Sequence, residues 1–137
     1  MSPSTRRPVS TRARGDANED LAASFLEARG LVVCERNVTL AGAEIDLVAQ
    51  IPGEPGAPDM VVFVEVRSRF DDHAGHPLET IGPTKRRKIV RAATAWLVRA
   101  SLWEQVAVRF DVVAIVFGTE DKAPEITWIA GAFELND

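Results

Sequence analysis

Residues 43–49, Ala-Glu-Ile-Asp-Leu-Val-Ala, and residues 60–67, Met-Val-Val-Phe-Val-Glu-Val-Arg, decide how this chain folds. Both runs are apolar and rich in β-branched residues. Glu44 and Asp46 interrupt the first, and Glu65 and Arg67 close the second. Between them, residues 51–59, Ile-Pro-Gly-Glu-Pro-Gly-Ala-Pro-Asp, are dense in turn formers and predict a loop. Two strands joined by a compact loop should pair as an antiparallel hairpin. Side chains alternate along a strand, so Glu44 and Asp46 share one face, as do Glu65 and Arg67. A register centred on the loop sets Asp46 opposite Glu65 and Glu44 opposite Arg67. The second pairing is a favourable ion pair. The first puts two carboxylates side by side, which costs energy unless a cation lies between them. A slip of one residue would undo both, and loop length does not fix the register.

Working outward, residues 31–38 predict a strand ahead of the hairpin, with Cys34 as a small buried hydrophobe. Before it, residues 16–29 predict a helix with an apolar stripe of Leu21, Ala22, Phe25, Leu26 and Ala28. Asp16 suits its N-cap, with Glu19 three residues on, and Gly30 suits its end. Glu19 borders the stripe rather than facing open water. After the hairpin, residues 68–82 are mostly polar and predict a long connection. A second helix is expected from Pro83 or Thr84 to Ala100, with Ile89, Ala92, Ala93, Trp96, Leu97 and Ala100 as its stripe. Its first turns hold Lys85, Arg86, Arg87, Lys88 and Arg91, which oppose the helix dipole, and no acid lies among residues 81–103 to compensate them. Residues 106–117 and 125–130 predict two further strands. Core packing is the expectation for Trp96, Trp103 and Trp128.

The 137 residues make one domain, large enough to bury roughly 68–70% of its unfolded surface without a disulfide or structural metal. The single Cys34 excludes an internal disulfide and a multi-cysteine zinc site. No run reaches the 18 or so apolar residues of a membrane span, and Arg6-Arg7 has no apolar stretch after it, so cytoplasm is the default and no membrane partner is expected. The formal net charge is −4, which argues against a sequence-independent polyanion binder. The charge is uneven. Residues 1–14 carry four arginines and no acid and read as a flexible basic tail. Residues 15–137 hold 12 basic and 20 acidic groups.

Two adjacent carboxylates on neighbouring strands suit a hard divalent cation such as Mg²⁺, which takes one or two carboxylates together with water and phosphate oxygens. Phosphodiester hydrolysis is one chemistry that uses such a site. A structural salt-bridge network on a half-exposed sheet is the alternative reading of the same residues. Asp46 followed by Glu65-Val66-Arg67 resembles the Asp…Glu-x-Lys signature of the restriction-endonuclease-like (PD-(D/E)xK) superfamily. The wider order is more specific. Glu19, Arg36-Asn37, residues 43–49, Phe63 to Arg69, Lys85, Arg109 to Val113 and Ala132-Phe133 together are similar to the uncharacterised YraN-like bacterial family. Members of that family resemble archaeal Holliday-junction resolvases.

The resemblance implies an α/β fold, a mixed central sheet flanked by helices in the order αβββαβ. It implies Asp46 and Glu65 as metal ligands and Glu19 as a further ligand or acid-base group, with Mg²⁺ or Mn²⁺ as the cofactor. It places Arg67 at the lysine position, and Lys85, Arg86, Lys88 and Arg69 against nucleic-acid phosphates. The expected partner is structured DNA or another nucleic acid, and a two-fold dimer would suit a two-stranded substrate. Two departures stand out: Ala43 replaces the family's glycine, and Arg67 replaces its lysine. Arginine stays protonated and cannot serve as a general base. If the lysine's task is electrostatic, Arg67 keeps part of it; if a proton must move, the protein is an inactive nucleic-acid- or protein-binding module. Asp71, Asp72, His73 and His76 offer metal-binding side chains, but a polar turn is the more ordinary reading of their loop. Arg109 and Asp111 lie two apart on one strand face and read as a structural ion pair.

Overall fold

In the computed structural model, residues 11–57, 59–70, 81–118 and 122–135 are described, residues 11–14 by their backbone alone. The elements follow the order α1 (Thr11–Glu27), β1 (Val32–Leu40), β2 (Ala43–Ile51), β3 (Met60–Phe70), α2 (Pro83–Arg99), β4 (Ala107–Phe117) and β5 (Glu125–Phe133). The strands form one mixed sheet in the spatial order β1-β2-β3-β4-β5. Its pairs are antiparallel except β3 with β4, which run parallel across the connection that contains α2. A parallel pair needs such a crossover, whereas β1, β2 and β3 are joined by short links.

Each face of the sheet has its own core. Ala22, Ala23 and Leu26 of α1 pack with Leu47, Ala49, Val62, Val64, Val113 and Ile115. Ile89, Ala92, Ala93, Trp96 and Leu97 of α2 pack with Val48, Val61, Phe63, Phe110, Val112 and Phe133 on the other face. Phe63 meets Trp96 edge-on at 5.7 Å between ring centres and stacks on Phe110 at 5.6 Å. The central strands β3 and β4 are thus apolar on both faces, the mark of strands covered on both sides.

Several expectations need correction. The first helix starts at Thr11, so Asp16 lies inside it and is not its N-cap, and residues 11–14 are helical rather than tail. Residues 1–10 lie outside the described residues, as do Asp71, Asp72, His73 and His76. Gly30 does end α1: it adopts φ 95°, its N–H reaches the Glu27 carbonyl at 3.1 Å and Leu31 N–H reaches Leu26 at 3.2 Å. That is a Schellman ending, closed by the buried pair Leu26 and Leu31. Ala28 and Ala100 are exposed, because each lies past the last helical turn. Trp103 is exposed for the same reason: α2 stops at Arg99, so its seven-residue spacing from Trp96 is not a helical one. Cys34 is exposed as well. It sits where the β1–β2 register shifts between Val33 and Glu35, so the strand alternation that would bury it is broken there. Among the described residues, no helix is long and apolar enough to cross a membrane.

Candidate metal centre and basic wall

The hairpin has the expected register. β2 and β3 pair from Ile51 with Met60 up to Leu47 with Val64, and there the ladder stops. The next pair in line would be Asp46 with Glu65. Instead the Val66 N–H donates to the Asp46 carboxylate, with Oδ2 at 2.8 Å. An aspartate side chain has taken the place of a backbone carbonyl, and the strands part beyond it.

The alternation of side chains breaks at the same point. Residues two apart on a regular strand share a face. Yet Leu47 packs on the α1 face and Ile45 on the α2 face. β1 breaks in step. Arg36 pairs with Asp20 of α1, while Val38 packs on the α2 side. Between them Asn37 takes φ 52°, a left-handed value that asparagine tolerates better than most residues. The paired breaks leave Glu44 and Asp46 lining a cleft of about 690 Å³ beneath α1, together with Asp16, Asn18, Glu19, Asn37 and Thr39.

Three carboxylates meet in this cleft. One oxygen from each of Glu19, Glu44 and Asp46 lies within 4.8 Å of the others. Glu19 is 6% exposed, and its Oε1 has no hydrogen-bond partner among the described residues. Burial raises the Glu19 pKa, with the charges of Asp16 and Glu44 adding to the effect; a hydrogen bond from Asn37 and the charge of Arg36 oppose it. Asp46 is pushed up to about 7, first by burial and then by the charge of Glu65, with Glu19 and a hydrogen bond to Glu65 adding to it; the Val66 N–H pulls the other way. Asp46 is thus the hub, touching Glu65 on one side and facing Glu19 on the other.

Glu65 points to the α2 side. Its Oε1 lies 2.5 Å from Lys85 Nζ, in a carboxylate side chain that is only 10% exposed. Lys85 and Lys88 line a second hollow of about 290 Å³ with Glu44, Asp46, Glu65 and Ile89. The α2 N-terminus brings them there. Pro83 opens the helix, Gly82 gives no side-chain cap, and the Arg86 N–H makes its first bond to the Gly82 carbonyl at 3.0 Å. The acids missing from the first turn of α2 are supplied by β2 and β3, which answers the unfavourable dipole placement noted in the sequence.

Of the residues singled out in the sequence, the structure brings together Glu19, Asp46, Glu65, Lys85 and Lys88. Arg67, Arg69 and Arg86 line neither cavity. Arg69 Nη1 and Arg86 Nε are buried without a hydrogen-bond partner among the described residues. The paired ladder stops short of Glu44 and Arg67, and Glu44 brings a carboxylate oxygen close to Glu19 and Asp46. Glu44 joins the acidic centre, as its place two residues before Asp46 on one strand face suggests. Asn37 as the residue that bonds Glu19 was missed. The signal was present: Asn37 is a residue type suited to a left-handed kink. Arg109 and Asp111 form the expected ion pair, with both contacts at 2.8 Å, on the α1 face of the sheet.

A mixed sheet with a helix on each face, and an acidic cleft where its β2–β3 hairpin parts, is a restriction-endonuclease-like α/β fold. The chain belongs to the uncharacterised protein family UPF0102, whose sequence model matches residues 18–115. A UPF0102 protein of Pelobacter propionicus is 40% identical over 134 residues, spanning 98% of this chain and 91% of the relative. One from Anaeromyxobacter dehalogenans is 43% identical over 123 residues, spanning 90% and 85%. One from Mycobacterium sp. strain KMS is 39% identical over 128 residues, spanning 90% of each.

Proposed function

We propose that this protein binds structured nucleic acid and hydrolyses its phosphodiester bonds with the aid of a divalent cation, Mg²⁺ or Mn²⁺. The observation that carries the reading is the meeting of Glu19, Glu44, Asp46 and Glu65 next to Lys85 and Lys88. The donor set fits a hard cation: it is all carboxylate oxygen, and it includes the buried, unpartnered Glu19 Oε1. Such an ion supplies a Lewis acid for a phosphoryl oxygen and a lowered pKa for an attacking water. The chain's own residues supply the rest. Asp46, held by the Val66 N–H, fixes the position of the acidic centre. Lys85 and Lys88 give the adjoining hollow a positive wall to receive a phosphate beside that centre. Glu65 anchors Lys85 by an ion pair that leaves the lysine half exposed.

The test is incubation of the protein with labelled branched, duplex and single-stranded DNA in Mg²⁺ or Mn²⁺. Cleavage that is lost in Asp46→Ala supports the proposal. No cleavage of any substrate, with wild type and variant alike, overturns it. A second reading, a non-catalytic nucleic-acid-binding module, is favoured by Arg67 at the lysine position. Binding that survives Asp46→Ala and Glu65→Ala without dependence on metal would select that reading.

A further inference from the structure

We propose that the Phe70 and Phe117 rings form a stacking platform for a base that lies outside a duplex. The bound strand then carries at least one unstacked nucleotide, as a flap, a junction or a single strand does. This names the substrate class of the function proposed above. It rests on the nucleic-acid part of that reading and not on cleavage.

Phe70 is the last residue of β3 and is 72% exposed, more than any other large hydrophobic side chain among the described residues. A lone exposed apolar side chain is ordinary. This one is braced. It pairs in the parallel ladder with Phe117, the last residue of β4, and the two rings lie 5.4 Å apart between centres and 30° from parallel. Phe117 in turn packs against the α1-face core that contains Ile115 and Val113. The core thus holds an aromatic ring out at the surface rather than hiding it. A braced ring with free surface is what a nucleobase stacks on, and such stacking tolerates any base because every base has a π-face.

The position of the rings ties them to the acidic cleft. Val66, Ser68 and Phe70 alternate onto the α1 face of β3. Val66 lines the cleft, and so does Asn18 of α1, whose side chain donates to the Ser68 hydroxyl at 2.7 Å. Phe70 is the next step, roughly 13 Å beyond Val66 at about 3.3 Å per strand residue. A strand with one phosphate at the carboxylates can therefore lay a base a few nucleotides away on Phe70. Lys122 is exposed beside Gly118, the residue after Phe117: a Cβ at Gly118 would lie 3.8 Å from its side chain. It offers a cation to the phosphate of the stacked nucleotide.

In an uninterrupted duplex each base is stacked between its neighbours and has no face to give a protein ring, so the platform selects strands whose bases are free to splay out. A protein partner fits the surface less well. The other exposed large hydrophobics, Val32, Val98 and Trp103, lie on β1, on α2 and just past α2. One ring pair among Ser68, Arg69 and Gly118 offers far less apolar area than the core of a protein interface.

The experiment measures binding of the full chain to three labelled DNAs by fluorescence anisotropy: a single strand, a flapped duplex and a duplex closed by loops of inert linker at both ends. Ca²⁺ replaces Mg²⁺, so that binding is read apart from cleavage. Phe70→Ala and Phe70→Leu should weaken single-strand and flap binding about tenfold, while binding of the closed duplex changes by less than about twofold. Phe70→Trp, which enlarges the π-face, should bind the single strand at least as tightly as wild type, a rescue that lost packing would not give. A single strand carrying 5-iodouracil should, on irradiation, crosslink to the peptide that contains Phe70. Thermal unfolding of each variant verifies the fold. Wild-type affinity in Phe70→Ala, an equal loss on the closed duplex, or full binding by Phe70→Leu would overturn the platform and leave the nucleic-acid reading standing. If Phe70→Ala instead turns a dimer into monomers with no change in DNA affinity, the rings are a contact between copies and the platform falls. No binding of any DNA by wild type would overturn the nucleic-acid reading and the platform with it. The expected binding pattern without cleavage in Mg²⁺ would sink the nuclease reading and keep the platform.

Discussion

At the scale of single residues, Asp46 is where the sequence's liability becomes an asset. It is half buried among acids, and its pKa is pushed up to about 7, chiefly by burial and then by Glu65. The linkage has a definite sign. A carboxylic acid whose folded pKa lies above its unfolded value contributes stability that is complete below the unfolded pKa near 3.8 and is lost as pH rises through about 7. In a chelator, wild type should therefore be less stable at pH 8 than Asp46→Asn, which keeps an oxygen for the Val66 N–H and carries no charge. The melting temperature of the variant should exceed that of wild type by roughly 3–8 °C at pH 8, and the difference should fade by pH 4. A gap of the same size at both pH values would show that Asp46 is not charged against its surroundings. Added Mn²⁺ should narrow the gap at pH 8 by stabilising wild type. Arg67→Lys belongs at this scale too. Cleavage gained on that change would show that a fixed guanidinium limits the wild type, whereas equal rates would show that Lys85 already supplies the charge.

At the scale of elements, a buried carboxylate sets how the β5 edge of the sheet attaches. Asp111 is 1% exposed and accepts from Arg109 twice, from the Trp128 indole at 2.8 Å and from the Gly131 N–H at 3.0 Å. These bonds hold β5 to β4 where the register shifts between Phe110 and Val112. Asp111→Ala should cost about 3 kcal/mol in urea unfolding, since it leaves Arg109 and Trp128 without their shared acceptor. A loss under about 1 kcal/mol would mean that water replaces the carboxylate without penalty. Gly30 ends α1 at φ 95°, with open space where a Cβ would lie. Gly30→Ala should then cost only the backbone strain, about 1 kcal/mol, and should not disturb the cleft.

Across the whole molecule, the charge count takes on a spatial meaning. The acidic surplus of residues 15–137 includes four groups drawn to one centre, and the proposed cation would offset part of it. Lys85 and Lys88 stand at its border, so only a few phosphates would be neutralised on contact. Duplex or branched DNA binding, measured by fluorescence anisotropy at constant Mg²⁺, should fall roughly 10–40-fold between 50 and 200 mM salt if two or three phosphates are engaged. Affinity that ignores salt would point to a protein partner instead.

The strands, both helices and the hairpin register were legible in the sequence, because each rests on local rules: β-branched runs, a three-and-one apolar stripe, and turn formers between. Asp46 and Glu65 came with that register, and Glu19 and Lys85 with the family resemblance. The helix start was misread because Asp16 and Glu19 mimic a cap inside a longer helix. The site's actual partnerships belong to tertiary structure alone. Glu44 meets Glu19, and Glu65 meets Lys85, because β1 and β2 break their alternation together at Asn37 and Asp46 and because α2 delivers its first turn to the opened strands. A period-two rule places side chains only while a strand stays regular. Where strands part, three-dimensional packing decides which charges meet.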